Sequence, residues 1–180
     1  MVKLIIKMKF LFIMFFLFIA YSFSCVEPLS DGYKDIKLGM TKTQVQSILE
    51  KSIEFNFKRE EILSFRLEPD TEIISTEGFN YIISAYFHFN HDKLFQIILK
   101  LSESKIGYYF LLKKFTERFG EPTELSPTRS IWENEKVKLI IEKPCTLKYV
   151  YLPIWNGLLK DDNTNENLLD LNREKFIDDL

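Results

Sequence analysis

From Phe79 to Leu101 the apolar residues keep a period of two. Phe79, Tyr81, Ile83, Ala85, Phe87 and Phe89 fall on alternate positions, Asn90-His91-Asp92-Lys93 supplies a turn, and Phe95, Ile97, Leu99 and Leu101 return. That pattern predicts an antiparallel hairpin with one apolar face. Such a face cannot stay in water, so a helix or a second sheet has to cover it.

Two stretches at helical spacing can provide the cover. In the first, Thr41 reads as an N-cap, Gln44 completes a capping box, Met40 staples onto Val45, and Val45, Ile48 and Leu49 form an apolar stripe about three turns long. In the second, Tyr108, Leu111, Leu112, Phe115 and Phe119 form the stripe, with Ser104 as cap and Gly120 then Pro122 as terminators. The remaining alternations are Ile53-Phe55-Phe57, Leu63-Phe65-Leu67 before a Pro69-Asp70 turn, and a hairpin from Arg129 to Glu133 that turns at Asn134-Glu135 into Val137, Leu139 and Ile141. A last strand after Pro144 carries Cys145, Leu147, Tyr149 and Tyr151. Helix then hairpin thus occurs twice, at Thr41–Leu101 and Ser104–Tyr151, without residue-level identity between the two. The expected class is α+β: an antiparallel sheet with two short helices on one face, plus a C-terminal helix.

Ahead of this unit stands a leader. Lys3, Lys7 and Lys9 precede an uninterrupted apolar run, Phe10 to Ala20, of signal-peptide length rather than the roughly 20 residues of a spanning helix. Small residues at Ser22 and Ser24 suit an ordinary signal peptidase. Ser24-Cys25 also resembles the end of a bacterial lipobox, which implies diacylglycerol on the Cys25 thiol and a membrane anchor. The expected organisation is a signal peptide at 1–24, a short lipid tether at 25–35, an α+β domain at 36–155 and an acidic tail or helix at 156–180, where Leu169, Phe176 and Leu180 can share a side.

Charge and composition exclude several classes. Removing the leader takes away three lysines and no acid, so the net charge moves from −2 to about −5, the wrong sign for a nucleic-acid partner. Seventeen Phe and eight Tyr describe an aromatic-rich globule. No catalytic residue, metal site or cofactor is assigned. His88 and His91 share one hairpin without a helical partner at metal spacing, Asp161-Asn163-Asn165 starts a calcium loop that Glu166 spoils where glycine is needed, and Cys145 reads as a buried small hydrophobe.

Ile36-Lys37-Leu38-Gly39-Met40-Thr41, followed by Gln44-Val45 and Ile48-Leu49, resembles the opening of small envelope lipoproteins of the SmpA/OmlA type and is similar to that of the β-lactamase-inhibitor-like fold. The resemblance implies helices followed by antiparallel strands, with Gly39, Met40, Thr41 and Val45 as an interaction or fold motif. It also implies a non-catalytic interaction or assembly module in outer-membrane protein biogenesis, lipid-anchored in the envelope, with a protein partner there. The aromatic surplus supports an alternative, a binder of a small apolar ligand, which requires a cavity above about 300 Å³. A surface-exposed inhibitor or receptor-binding lipoprotein is a third reading.

Overall fold

The structure, a computed structural model, describes residues 26–58 and 71–160. The leader with Cys25, the Leu63-Phe65-Leu67 alternation and the acidic segment beyond residue 160 lie outside the described residues.

Two hairpin-like strands, β1 (Gly32–Tyr33) and β2 (Ile36–Lys37), lead into helix α1 (Lys42–Leu49). The strands β3 (Phe55–Asn56), β4 (Thr71–Gly78), β5 (Ile82–Asn90) and β6 (Lys93–Leu101) come next, then helix α2 (Tyr108–Phe119). The strands β7 (Glu124–Leu125), β8 (Arg129–Glu133), β9 (Val137–Glu142) and β10 (Thr146–Tyr151) complete the sheet, and a third helix, α3, occupies 152–160. Eight strands form one antiparallel sheet in the order β3-β4-β5-β6-β10-β9-β8-β7. Each half is a helix followed by a four-strand meander, and the last strands of the halves, β6 and β10, meet in the middle. Antiparallel pairing there relates the halves by an approximate two-fold axis normal to the sheet. The doubled helix-and-hairpin order expected from the sequence is therefore the architecture, with β4 as a strand that no alternation marks.

Register explains the core. Across the sheet, Thr76, Ala85, Leu99, Leu147, Ile141 and Ser130 stand in one row, and Ile74, Phe87, Ile97, Tyr149, Leu139 and Trp132 in the next. Every one of these twelve is buried, and Val45 and Leu49 of α1 and Tyr108 and Leu111 of α2 join the same cluster. Both helices thus cover one face, as expected. Burial of such side chains contributes roughly 1.5–3 kcal/mol each and outweighs any local propensity. Buried Ser130 and Tyr108 share a 2.7 Å hydrogen bond, and Trp132 Nε1 donates to Gly120 O at 2.8 Å, so α2 is fixed to the sheet at both ends.

The opposite face is mixed: its middle row reads Ser75, Tyr86, Ile98, Lys148, Ile140 and Ile131. The start of α3 lies on this side, Trp155 stacking on Phe95 with ring centroids 6.3 Å apart. The helix begins at 152, earlier than the boundary at 156 placed by composition.

Two bulges correct the one-faced reading of β5 and β6. Between Ile82 and Ser84 the register slips, so Ile82 enters the core and Ile83 is 58% exposed. Between His88 and Phe89 it slips again, so Leu94 takes the core position and Phe95 turns to the far face beside His88. An extra residue in one strand inverts the facing of the residues beyond it, which strict alternation cannot anticipate. Helix α1 is also shorter than expected, eight residues, and α2 takes Gly107 rather than Ser104 as its N-cap, with no side-chain bond.

Candidate functional site

The residues singled out in the sequence act first as structure. Gly39 sits at φ +87°, a left-handed conformation that costs a side-chain-bearing residue about 1–2 kcal/mol. That turn lets Gly39 N–H donate to Leu94 O at 2.7 Å while Leu94 N–H donates to Met40 O at 2.8 Å. Met40 packs on the core, Thr41 and Gln44 close the capping box at 3.3 and 2.9 Å, and Val45 is fully buried. Asp92, in the positive-φ turn after β5, accepts from Lys42 N–H at 2.9 Å and adds a carboxylate to the start of α1. Gly39, Met40, Thr41 and Val45 therefore clip α1 to the β5–β6 hairpin. Cys145 is buried, its thiol donating to Ile106 O at 2.9 Å, and burial pushes its pKa up. His91 takes φ +46° in the turn, and His88 lies half-buried against Phe95 with its pKa lowered by burial.

Beside these lies a cleft. On the helix-covered face, where α2 diverges from the β1–β2 hairpin, a cavity of about 790 Å³ opens. Its floor is Leu99 and Leu101 of β6 with Leu147 and Tyr149 of β10, and Ile106, Leu111, Phe115 and Phe119 wall one side. Ile53, Phe79 and Tyr81 form the lip, exposed by 91, 54 and 50%, so apolar surface that a soluble globule ordinarily hides surrounds the mouth. A second hollow of about 540 Å³, between α1 and the β1–β2 hairpin, shares the wall made by Tyr33, Lys34, Ile53 and Glu54.

The polar groups form two sets, Tyr33, Lys34 and Glu54 beside Phe79, whose N–H donates to Glu54 O at 2.8 Å, and Arg118 with Tyr149 near the C-terminal end of α2. Tyr33 O–H donates to Glu54 Oε2 at 3.1 Å, and Lys34 Nζ reaches Glu54 Oε1 at 2.6 Å. Burial first, then the charge and hydrogen bond of Glu54, hold the Tyr33 phenol above its usual range. Tyr149, only 6% exposed, lines the floor, and its hydroxyl makes no hydrogen bond among the described residues. Burial pushes the Tyr149 pKa up to about 12, against the opposing pull of the Arg118 guanidinium.

The segment from Val26 to Asp31, expected as a tether, is moored at this end. Glu27 N–H donates to Arg118 O at 2.9 Å, Arg118 Nε reaches Glu27 Oε2 at 2.5 Å, and Val26 methyls would stand 3.6 and 3.7 Å from a Cβ at Gly120. The described chain is therefore on the domain surface from Val26.

Tyr33, Arg118 and Tyr149 come from three separate elements and Glu54 from the turn before β3, and no spacing in the sequence joins them. Tyr149 was legible only as an alternating core residue, which its ring is. Among the described residues no three His, Cys, Asp or Glu side chains are placed to hold one metal ion, and no helix is long and apolar enough to cross a membrane.

The family model described as the TP0088 domain matches residues 31–161, from the foot of β1 to the end of the described part of α3, and the chain belongs to that family. No curated protein and no solved structure matches it.

Proposed function

We propose that this TP0088-domain protein is an exported, non-catalytic binding module that takes a small apolar molecule into the cleft between α2 and the sheet, while a lipid on Cys25 holds it in the cell envelope. The observation that carries the reading is the cavity of about 790 Å³ with its aliphatic floor. That volume falls in the roughly 300–1,000 Å³ span of small-molecule sites, where apolar lining supplies affinity and a few polar groups fix orientation. The mooring of Glu27 on Arg118 supports the pairing of anchor and cleft, since acyl chains on Cys25 would bring the bilayer to the Arg118 end of the mouth. A ligand of membrane origin then has a short path in.

The test is titration of the purified full chain with a neutral, polarity-sensitive dye. Saturable enhancement with one site per chain is expected, and Ile106→Trp, which places an indole in the cleft, should abolish it without changing the far-ultraviolet circular dichroism. Unsaturable or absent enhancement would sink the reading.

A second reading comes from the lip. Ile53, Phe79 and Tyr81 are apolar surface that a partner protein could cover, and the Gly39-Met40-Thr41 resemblance to SmpA/OmlA-type lipoproteins makes an assembly role in outer-membrane biogenesis the natural form of that reading. Crosslinking in intact cells through a photoreactive residue at position 79 would yield a discrete adduct with a barrel-assembly component under it, and none under the small-ligand reading.

A further inference from the structure

Resting on that reading of the cleft, we infer that its occupant is a single-chain amphiphile with an oxyanion head, the head held by Arg118 and the Tyr149 hydroxyl and the chain lying along β6 and β10 towards Ile82. Shape and polarity point the same way. Down β10 from Tyr149 to the level of Cys145, which faces Leu101 of β6, is four residues, or about 13 Å of strand. Along that length Leu147, Leu99, Leu101 and Ile82 present carbon only, a long trough rather than a round hole.

Arg118 and the Tyr149 hydroxyl lie at the other end. The Tyr149 ring is buried, while its O–H opens on the cleft and makes no hydrogen bond among the described residues, so it is a donor free to meet a ligand there. An oxyanion in the cleft can accept from it, and a charge-assisted hydrogen bond of this kind is stronger than one between neutral groups. Arg118 lines the same cleft, and Glu27 engages only its Nε edge; neither Nη makes a hydrogen bond among the described residues. The fork can therefore take a second oxyanion, in the paired geometry guanidinium favours. The other two cations of the mouth are committed elsewhere, Lys34 to Glu54 at 2.6 Å and Lys37 to Asp31 at 2.8 Å. Glu27 is then a competitor for Arg118 rather than an aid to binding.

A carboxylate and a phosphate monoester offer the same oxyanion chemistry, and a matched set of ligands separates them. Using the full chain loaded with the neutral dye, displacement is read for dodecanoate, dodecyl phosphate and dodecan-1-ol, which share a chain and differ in head. At least one anion is expected to displace at a tenfold or greater lower concentration than the alcohol, and the better of the two names the head group. Tyr149→Phe and Arg118→Gln should each bring the anion down to the level of the alcohol while the alcohol itself is unchanged. Glu27→Gln should strengthen the anion at least threefold. Equal displacement by alcohol and anions, or an anion preference untouched by both Tyr149→Phe and Arg118→Gln, overturns the head-group assignment while the apolar cleft stands. Weakening of the anion by Glu27→Gln also overturns it, because Arg118 would then act only by holding the N-terminal segment. A chain that binds no dye defeats the cleft reading itself.

Discussion

At the scale of single residues, the polar groups that matter are the ones the core forces into company. Ser130 has no exposed surface and Tyr108 almost none, so their 2.7 Å bond satisfies two hydroxyls that have no other side-chain hydrogen bond among the described residues. Ser130→Ala should cost about 1–3 kcal/mol in urea denaturation because it strands the Tyr108 hydroxyl, and adding Tyr108→Phe should return part of the loss. Gly39→Ala, at φ +87°, should cost about 1–2 kcal/mol for the left-handed backbone alone. Gly39 was legible as part of a helix-start motif, because capping chemistry is local and shows in four consecutive residues. Tyr149 and Arg118 were not legible as a pair, since 31 positions and three strands separate them and only the β6–β10 register brings β10 under α2.

Elements show the same division. Helix α1 was readable down to its cap, and Thr41→Ala is expected to remove about 1 kcal/mol of stability by thermal melting. The β5–β6 hairpin was readable in its turn, where His91 and Asp92 take the positive φ that a tight connection needs. Its facing was readable only between the bulges, because a bulge is a compromise between two strands and neither strand's sequence holds it alone. The displaced Phe95 then gives α3 its berth through Trp155. Trp155→Ala should remove roughly 0.5–1.5 kcal/mol of ring pairing beyond its area, and hydrogen exchange in 152–160 should accelerate while β5, β6 and β10 stay protected. Strand β4 escaped notice because Ile73 and Ile74 are adjacent, so its apolar residues point to both faces and leave no period of two.

Over the whole molecule, two helix-and-meander halves share one sheet, and the cleft forms where the N-terminal hairpin and α2 do not close over its centre. One titration belongs at this scale, since His88 lies on the second face, edge-on to Phe95 beside the Phe95–Trp155 stack. Burial lowers its pKa in the folded state, so below the ordinary imidazole value near 6.5 the unfolded chain takes up more protons than the folded one. Stability should fall as pH drops from about 6.5 through the depressed folded value, and His88→Gln should flatten that slope without altering it above pH 7. The α+β class, the doubled order and the helix-covered face were legible because each arises from periodicity. A cavity is the space left after packing, and no periodicity records it. The claim that this cavity is a ligand site meets its most direct test in native mass spectrometry of the full chain released gently from membranes. The account predicts a species heavier than the covalent chain by one small amphiphile, lost on Ile106→Trp; a single species at the covalent mass, unchanged after incubation with dodecanoate or dodecyl phosphate, would contradict it.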